Sequence, residues 1–279
     1  MPKATVGDID LYYEDHGSGD PLLLVMGLGA DANGWMLQTP EFAKHYRTIV
    51  FDNRGVGRSA KPAGPYTIPQ MADDAAALLD RLGIERTHVC GISMGGMIAQ
   101  ELALRHPKRL RSLVLGCTYA KPDAGVMQNS SASASNLGGA IDADGNIQID
   151  MSQLDPMMFF QTLLPLTFNQ SFIETDLARI MQLFAGSLEF GFDLNAILAQ
   201  VRATMAHDTP NRLRQIKVPT LVITGDNDRL IPASNSDYLA EQIPAARLVK
   251  IPGGSHAFNL ETPDVFNRVV LEFLRDASA

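Results

Sequence analysis

Val89-Cys90-Gly91-Ile92-Ser93-Met94-Gly95-Gly96-Met97-Ile98-Ala99-Gln100 is the stretch that decides the fold. An apolar run over Thr87–Cys90 delivers one serine between two glycines, and a helix-compatible run over Met97–Leu104 follows at once. That is the strand–turn–helix context of a G-x-S-x-G nucleophile elbow. The turn is sharp, so Ser93 is expected in a strained backbone conformation at the end of a strand. Side chains two residues to either side would collide with neighbouring backbone, which accounts for glycine at 91 and 95. The helix N-terminus then lies behind the serine, where its unpaired amides favour developing negative charge. A glycine-rich turn with an incidental serine is written with the same residues. The flanking patterns and the distant partners separate the two readings.

Outward from the elbow, short apolar runs alternate with helical periodicities. Pro21–Met26 is apolar throughout, as a parallel strand covered on both faces should be. Arg47–Asp52, Thr87–Gly91, Leu113–Cys117 and Thr220–Thr224 read the same way, and Arg247–Ile251 reads as the last strand. Ile9–Glu14 forms an early strand that pairs with residues around Thr5–Val6. The spacing predicts helices over Met71–Leu82, Met97–Arg105 (ended by His106-Pro107) and Pro263–Arg275, with Thr262 as N-cap of the last. This alternation implies an α/β fold with a mainly parallel central sheet and helices on both faces. It breaks between about Lys121 and Asn211. There Gln128–Ala140, rich in Ser, Ala, Asn and Gly, reads as a loop. Amphipathic patches follow at Met157–Leu164, Phe172–Phe184 and Leu188–Leu198. The expected organisation is a core of residues 1–120 and 212–279 with a mainly helical cap insertion, residues 121–211, over the C-terminal ends of the strands.

The 279 residues are 46% hydrophobic and 19% charged, the balance of a globular enzyme. A domain of this length buries roughly 75% of the surface of its unfolded chain and needs no staples. A formal net charge of −8 with no Lys/Arg cluster argues against nucleic acid and anionic membranes as partners. Cys90 and Cys117 each close an apolar run and read as buried, reduced thiols. The N-terminus lacks a basic-then-apolar leader, and the apolar stretches fall far short of the ~20 residues of a membrane span, so a cytoplasmic protein is expected.

A serine hydroxyl needs a base to take its proton and a group to orient that base. For this elbow the chain order is serine, acid, histidine. Thr220–Thr224 is followed by Gly225-Asp226-Asn227-Asp228-Arg229-Leu230-Ile231-Pro232, which sets an acid just past a strand end. Leu248–Ile251 is followed by Pro252-Gly253-Gly254-Ser255-His256, a histidine on a loop after the final strand. Taken singly, Asp226 and Asp228 are ordinary turn formers and His256 an ordinary loop histidine. Their order behind Ser93, each at a strand end, favours a shared site.

In these residues the chain resembles the α/β-hydrolase fold superfamily over nearly its whole length. The matching pieces are Gly91–Gly96, Gly225–Pro232 and Gly254–His256, and the Asp52–Ser59 turn is similar to that family's loop after the fourth strand. The resemblance implies Ser93 as nucleophile, His256 as general base and then acid, and Asp228 as orienting carboxylate. Asp228 is preferred over Asp226 because the family's acid lies three residues after the glycine and four before the proline. It further implies an oxyanion hole of two backbone amides, Met94 and Leu28. Many relatives have His-Gly where this chain has Met26-Gly27; a backbone donor tolerates that change. Trp35 either packs beneath this loop or belongs to the core.

The reaction implied is hydrolysis of a carboxylic ester of small to medium acyl group, or a methyl ester, through an acyl-enzyme. Lactonases, enol-lactonases, C–C bond hydrolases and perhydrolases share the triad, and a non-catalytic small-molecule receptor shares the fold. A serine at 93 argues against dehalogenases and epoxide hydrolases, which use aspartate there. Met127, Met151, Met157, Met158, Met181, Met205, Phe159, Phe160, Phe168, Phe172 and Phe184 suggest an adaptable apolar pocket or the insertion's own core. The implied partner is a small-molecule ester or lactone, with no cofactor and no metal.

Three further patterns need a reading. Gly27-Leu28-Gly29-Ala30-Asp31-Ala32, with Asp52 beyond it, imitates a dinucleotide fingerprint, but Asn33-Gly34 and Pro40 interrupt the helix it requires. Asp142–Asn146 imitates a calcium loop with its glycine misplaced and Gln153 where glutamate is needed, so a hairpin turn is expected. Among the other histidines, His207 is the one candidate for a substrate contact.

Overall fold

In the computed structural model, residues 2–137, 139–141, 147–148 and 156–278 are described. The first half of the chain lays down β1 (Lys3–Val6), β2 (Ile9–His16), β3 (Pro21–Val25), α1 (Thr39–Phe42), β4 (Arg47–Phe51), α2 (Ile68–Arg81), β5 (Thr87–Ile92), α3 (Met94–Arg105) and β6 (Leu110–Gly116). Then come α4 (Ala124–Asn136), the short pair β7 (Ala140–Ile141) and β8 (Ile147–Gln148), and helices α5 (Pro156–Thr167), α6 (Gln170–Glu189) and α7 (Leu194–Met205). The chain finishes with β9 (Thr220–Gly225), α8 (Ser234–Gln242), β10 (Ala246–Ile251), α9 (Phe258–Glu261) and α10 (Pro263–Asp276).

Eight strands form one sheet in the order β1-β2-β4-β3-β5-β6-β9-β10. The β1–β2 and β2–β4 pairs are antiparallel and every pair from β4 onward is parallel. The continuous apolar runs follow from burial on both faces. Along β3, Leu23 and Val25 join one core with Met71 and Leu78 of α2, Leu102 of α3 and Leu239 of α8. Leu22 and Leu24 join the other, with Trp35, Phe42 of α1 and Phe266, Val270 and Leu274 of α10. Trp35 is thus a core residue, its ring 6.2 Å from that of Phe266. Cys90 and Cys117 are both buried and free.

Two local expectations need correction. Most of Gln128–Ala140 is helix, not loop: α4 runs to Asn136. Asp123 caps it by accepting from the Val126 N–H, and the Ser133 hydroxyl donates back to the Asn129 carbonyl one turn earlier, one of the positions a serine takes inside a helix. Thr262 does precede α10, yet its hydroxyl donates to the Phe258 carbonyl instead of capping. Asp142–Asn146 and Gln153, the calcium-like pattern, lie outside the described residues, as does Met151. Among the described residues no helix is long and apolar enough to cross a membrane.

Candidate active site

Ser93 leaves β5 with φ 55° and ψ −125°, a conformation L-residues rarely adopt. Its neighbours hold it there. The Ser93 N–H donates to the Gly116 carbonyl of β6 at 2.9 Å, and its own carbonyl accepts from the N–H groups of Gly96 (2.9 Å) and Met97 (3.3 Å). A Cβ at Gly91 would run into the Gly95 carbonyl, and one at Gly95 into the carbonyl of Val25, so only glycine lets α3 start so close to β3 and β5. The Ser93 side chain does not cap α3, which leaves its hydroxyl free of the helix.

The loop after β3 lies against this serine. A Cβ built on Gly27 would sit 3.1 Å from the Ser93 Cβ and 3.5 Å from its Oγ. Beyond Gly27, the Gly29 N–H donates to Gln200 Oε1 at 2.9 Å and the Ala30 N–H to the Gly27 carbonyl at 3.4 Å. The Leu28 amide lies between these committed groups. Met94 opens α3, where a helix leaves its first amides without intrahelical partners.

The acid and the histidine meet at the same rim. His256 Nδ1 is 2.8 Å from Asp228 Oδ2. The other oxygen, Oδ1, accepts from the N–H groups of Leu230 (2.9 Å) and Ile231 (2.8 Å), so the carboxylate is fixed by its own loop. Asp226, by contrast, is exposed and accepts from the Gly253 N–H at 2.6 Å; it ties β9's loop to that of β10. Burial alone would depress the pKa of His256. The Asp228 carboxylate beside it outweighs that, with Cys117 adding to the effect, and holds His256 well above the ordinary value of 6.5.

Cys117, in sequence a small buried hydrophobe, places its sulfur beside this pair. Donor atoms of Cys117, Asp228 and His256 all lie within 4.8 Å of one another. The trio has the composition of a metal site, but both carboxylate oxygens of Asp228 are already engaged by protein donors. Its groups read as a hydrogen-bonded network.

Ser93 and His256 line one cavity of about 370 Å³, together with Met26, Gly27, Leu28 and Cys117. From the segment between β6 and β9 come Phe159 and Phe160 of α5, Phe168 just past its end, and Met205 of α7. The remaining aromatic and methionine candidates divide. Phe172 stacks on Phe168 with ring centroids 5.7 Å apart. Met157 and Met158 are 37% and 38% exposed. Of the side chain of Phe184 nothing is described.

His207 is not a cavity residue. It is buried beside the ring of Tyr119, and burial pushes its pKa down to about 3. The dinucleotide reading of Gly27–Ala32 also fails. A single 3-10 turn, Ala32–Trp35, follows it in place of a helix, and Asp52 is fully buried, accepting from the Ala32 N–H and the Arg58 guanidinium.

Sequence reading missed Gln200. This fully buried side chain on α7 accepts from the Gly29 N–H and donates to the Arg54 carbonyl at 2.8 Å. It joins the insertion to the loop beside Ser93, across 171 residues of sequence, with no local pattern to announce it.

Comparison with known proteins shows the family. Residues 20–139 and 160–263 match the family described as alpha/beta hydrolase fold. A protein of Azorhizobium caulinodans named for carbamate hydrolysis, RutD, is 36% identical over 273 residues, covering 98% of each chain. A 3-oxoadipate enol-lactonase of Acinetobacter baylyi is 32% identical over 95% of this chain and 93% of its own. The solved structure of a thermophilic esterase from Thermogutta terrifontis superposes with a TM-score of 0.84 at 27% identity over the whole of both chains.

Proposed function

The chain belongs to the alpha/beta hydrolase fold family, and from that premise we propose that it is a serine hydrolase cleaving a carboxylic ester of small to medium acyl group through an acyl-enzyme. One observation carries the reading: His256, its Nδ1 held 2.8 Å from Asp228, lines the same cavity as a serine in a strained strand-to-helix turn. With Nδ1 occupied, the ring nitrogen left for the serine proton is Nε2, the tautomer a general base requires.

His256 takes the Ser93 proton as Oγ attacks the carbonyl carbon. The oxygen of the tetrahedral intermediate turns to the Leu28 and Met94 amides, assisted by the N-terminal end of α3. His256 then protonates the departing alcohol. Water, deprotonated by the same imidazole, attacks the acyl-enzyme, and the acid is released with Ser93 restored.

The helices of residues 121–211 act in this reading as a cap that supplies the apolar wall of the pocket. A lactone is opened by the same steps, with the alcohol retained in the product. The names of the relatives favour that and carbamate cleavage as second readings. The test is hydrolysis of p-nitrophenyl butyrate. A burst of nitrophenol equal to the enzyme present, followed by steady turnover, is expected wherever deacylation is the slower step. Failure to hydrolyse any short acyl ester contradicts it.

Gln200 is a positioning residue here: it holds the Gly29 amide and so fixes the loop that presents Leu28. Gln200→Leu is expected to lower kcat about 10- to 100-fold with KM within a few-fold, since misplacing one oxyanion donor acts mainly on the transition state. A merely structural role would lower the melting temperature while kcat per folded molecule stayed unchanged.

A further inference from the structure

We propose that this pocket selects uncharged substrates and rejects acyl chains that carry a carboxylate. The inference rests on the hydrolase reading above and specifies its substrate class. Among the described residues that line the cavity there is no lysine or arginine; Asp31 and His256 are its only titratable acid and base outside weakly acidic groups such as Tyr119 and Cys117. The residues not described (1, 138, 142–146, 149–155 and 279) contain no lysine or arginine either, so no cation can come from them.

The charge of the insertion points the same way. Residues 121–211 hold three cationic side chains against ten acidic ones, and among the described residues of that segment the balance is three against six. None of the three cations serves the cavity. Lys121 pairs with Asp208, Arg179 pairs with Asp176, and Arg202 is exposed on α7. The wall away from Ser93 is instead built from side chains such as Val126, Leu137, Phe159 and Leu163. Two features favour negative charge, the start of α3 and a protonated His256; the first is committed to the reacting carbonyl, and the second already has its counter-charge in Asp228.

A carboxylate enclosed by such a wall loses its hydration with nothing in return, so it must either stay out or enter protonated. At pH 7 an aliphatic acid of pKa about 4.3 is neutral in roughly one molecule in 500. That sets the size of the discrimination.

The experiment compares three esters of p-nitrophenol on the intact protein at pH 7: the hexanoate, the monoester of adipic acid, and the same adipate capped as its methyl ester. The anionic monoester should show kcat/KM about 100- to 500-fold below the hexanoate, the loss lying mainly in KM. The capped diester, of greater length but no charge, should return to within tenfold of the hexanoate. A free monoester hydrolysed within tenfold of the hexanoate overturns the proposal, and so does a capped diester as poor as the acid, since size would then be the cause. If no ester is turned over, the hydrolase reading is what fails. Calorimetric titration of hexanamide against adipamate, the anionic monoamide, still reads the charge preference. The proposal then requires hexanamide to bind more tightly, and tighter binding of adipamate overturns it.

Discussion

Ser93→Ala is expected to abolish between about 10⁴ and 10⁶ of kcat on p-nitrophenyl butyrate, leaving only what the oxyanion amides and binding provide. The fold should not pay for the change. The hydroxyl caps nothing, and alanine at φ 55° bears the same backbone strain as serine, because both carry a Cβ. The melting temperature should therefore stay within a few degrees of the parent. A variant keeping most of its activity would remove Ser93 from the chemistry. A variant that failed to fold would show that the hydroxyl has a structural partner the account does not contain.

Asp228→Asn carries the second large effect, about 10⁴ in kcat. The amide oxygen can still accept from the Leu230 and Ile231 N–H groups, so the loop keeps its shape. The amide nitrogen then faces His256 Nδ1 as a donor and drives the ring proton to Nε2, where it blocks uptake of the serine proton. The pH dependence follows from the direction of the His256 shift. Its pKa in the fold lies well above 6.5, so in the parent kcat/KM rises with pH through that raised value as the neutral base forms. Without the carboxylate the rising limb moves to lower pH. Stability follows the same linkage: a histidine raised on folding contributes fully below its unfolded pKa of about 6.5 and loses that contribution as pH climbs through the folded value. The stability gap between parent and variant should thus be wider at pH 6 than at pH 9. Asp226→Asn is the control. Among the described residues its carboxylate bonds only the Gly253 amide, so activity should change little.

Much of this was legible in the chain because burial on both faces of a parallel sheet writes strands as unbroken apolar runs. Pro21–Met26, Arg47–Asp52 and Thr220–Thr224 each fall on a strand to within a residue. The elbow was legible because steric exclusion at Gly91 and Gly95 leaves glycine as the only choice. The order of their loops could pair an acid after β9 with His256, and the family resemblance chose Asp228 over Asp226; the structure sets Asp228 in contact with His256. The rest depends on tertiary partners. α4 was hidden by serines whose hydroxyls find partners only once the fold forms, Ser133 on the Asn129 carbonyl within the helix and Ser130 on the Met205 sulfur of α7. Gln200 and the approach of Cys117 to His256 arise between elements far apart in sequence, where no spacing rule reaches. His207 misled because a polar residue at the end of an insertion reads as accessible, whereas Tyr119 and Thr209 enclose it.

The most direct test is to quench the reaction with p-nitrophenyl butyrate in acid during its first turnover and locate the butyryl group by mass spectrometry of the digested chain. One acyl group is expected, on the peptide containing Ser93, absent from Ser93→Ala and accumulating in Asp228→Asn only as slowly as that variant acylates. An acyl group found on Cys117, or turnover with no covalent intermediate and undiminished by loss of the serine, would contradict it.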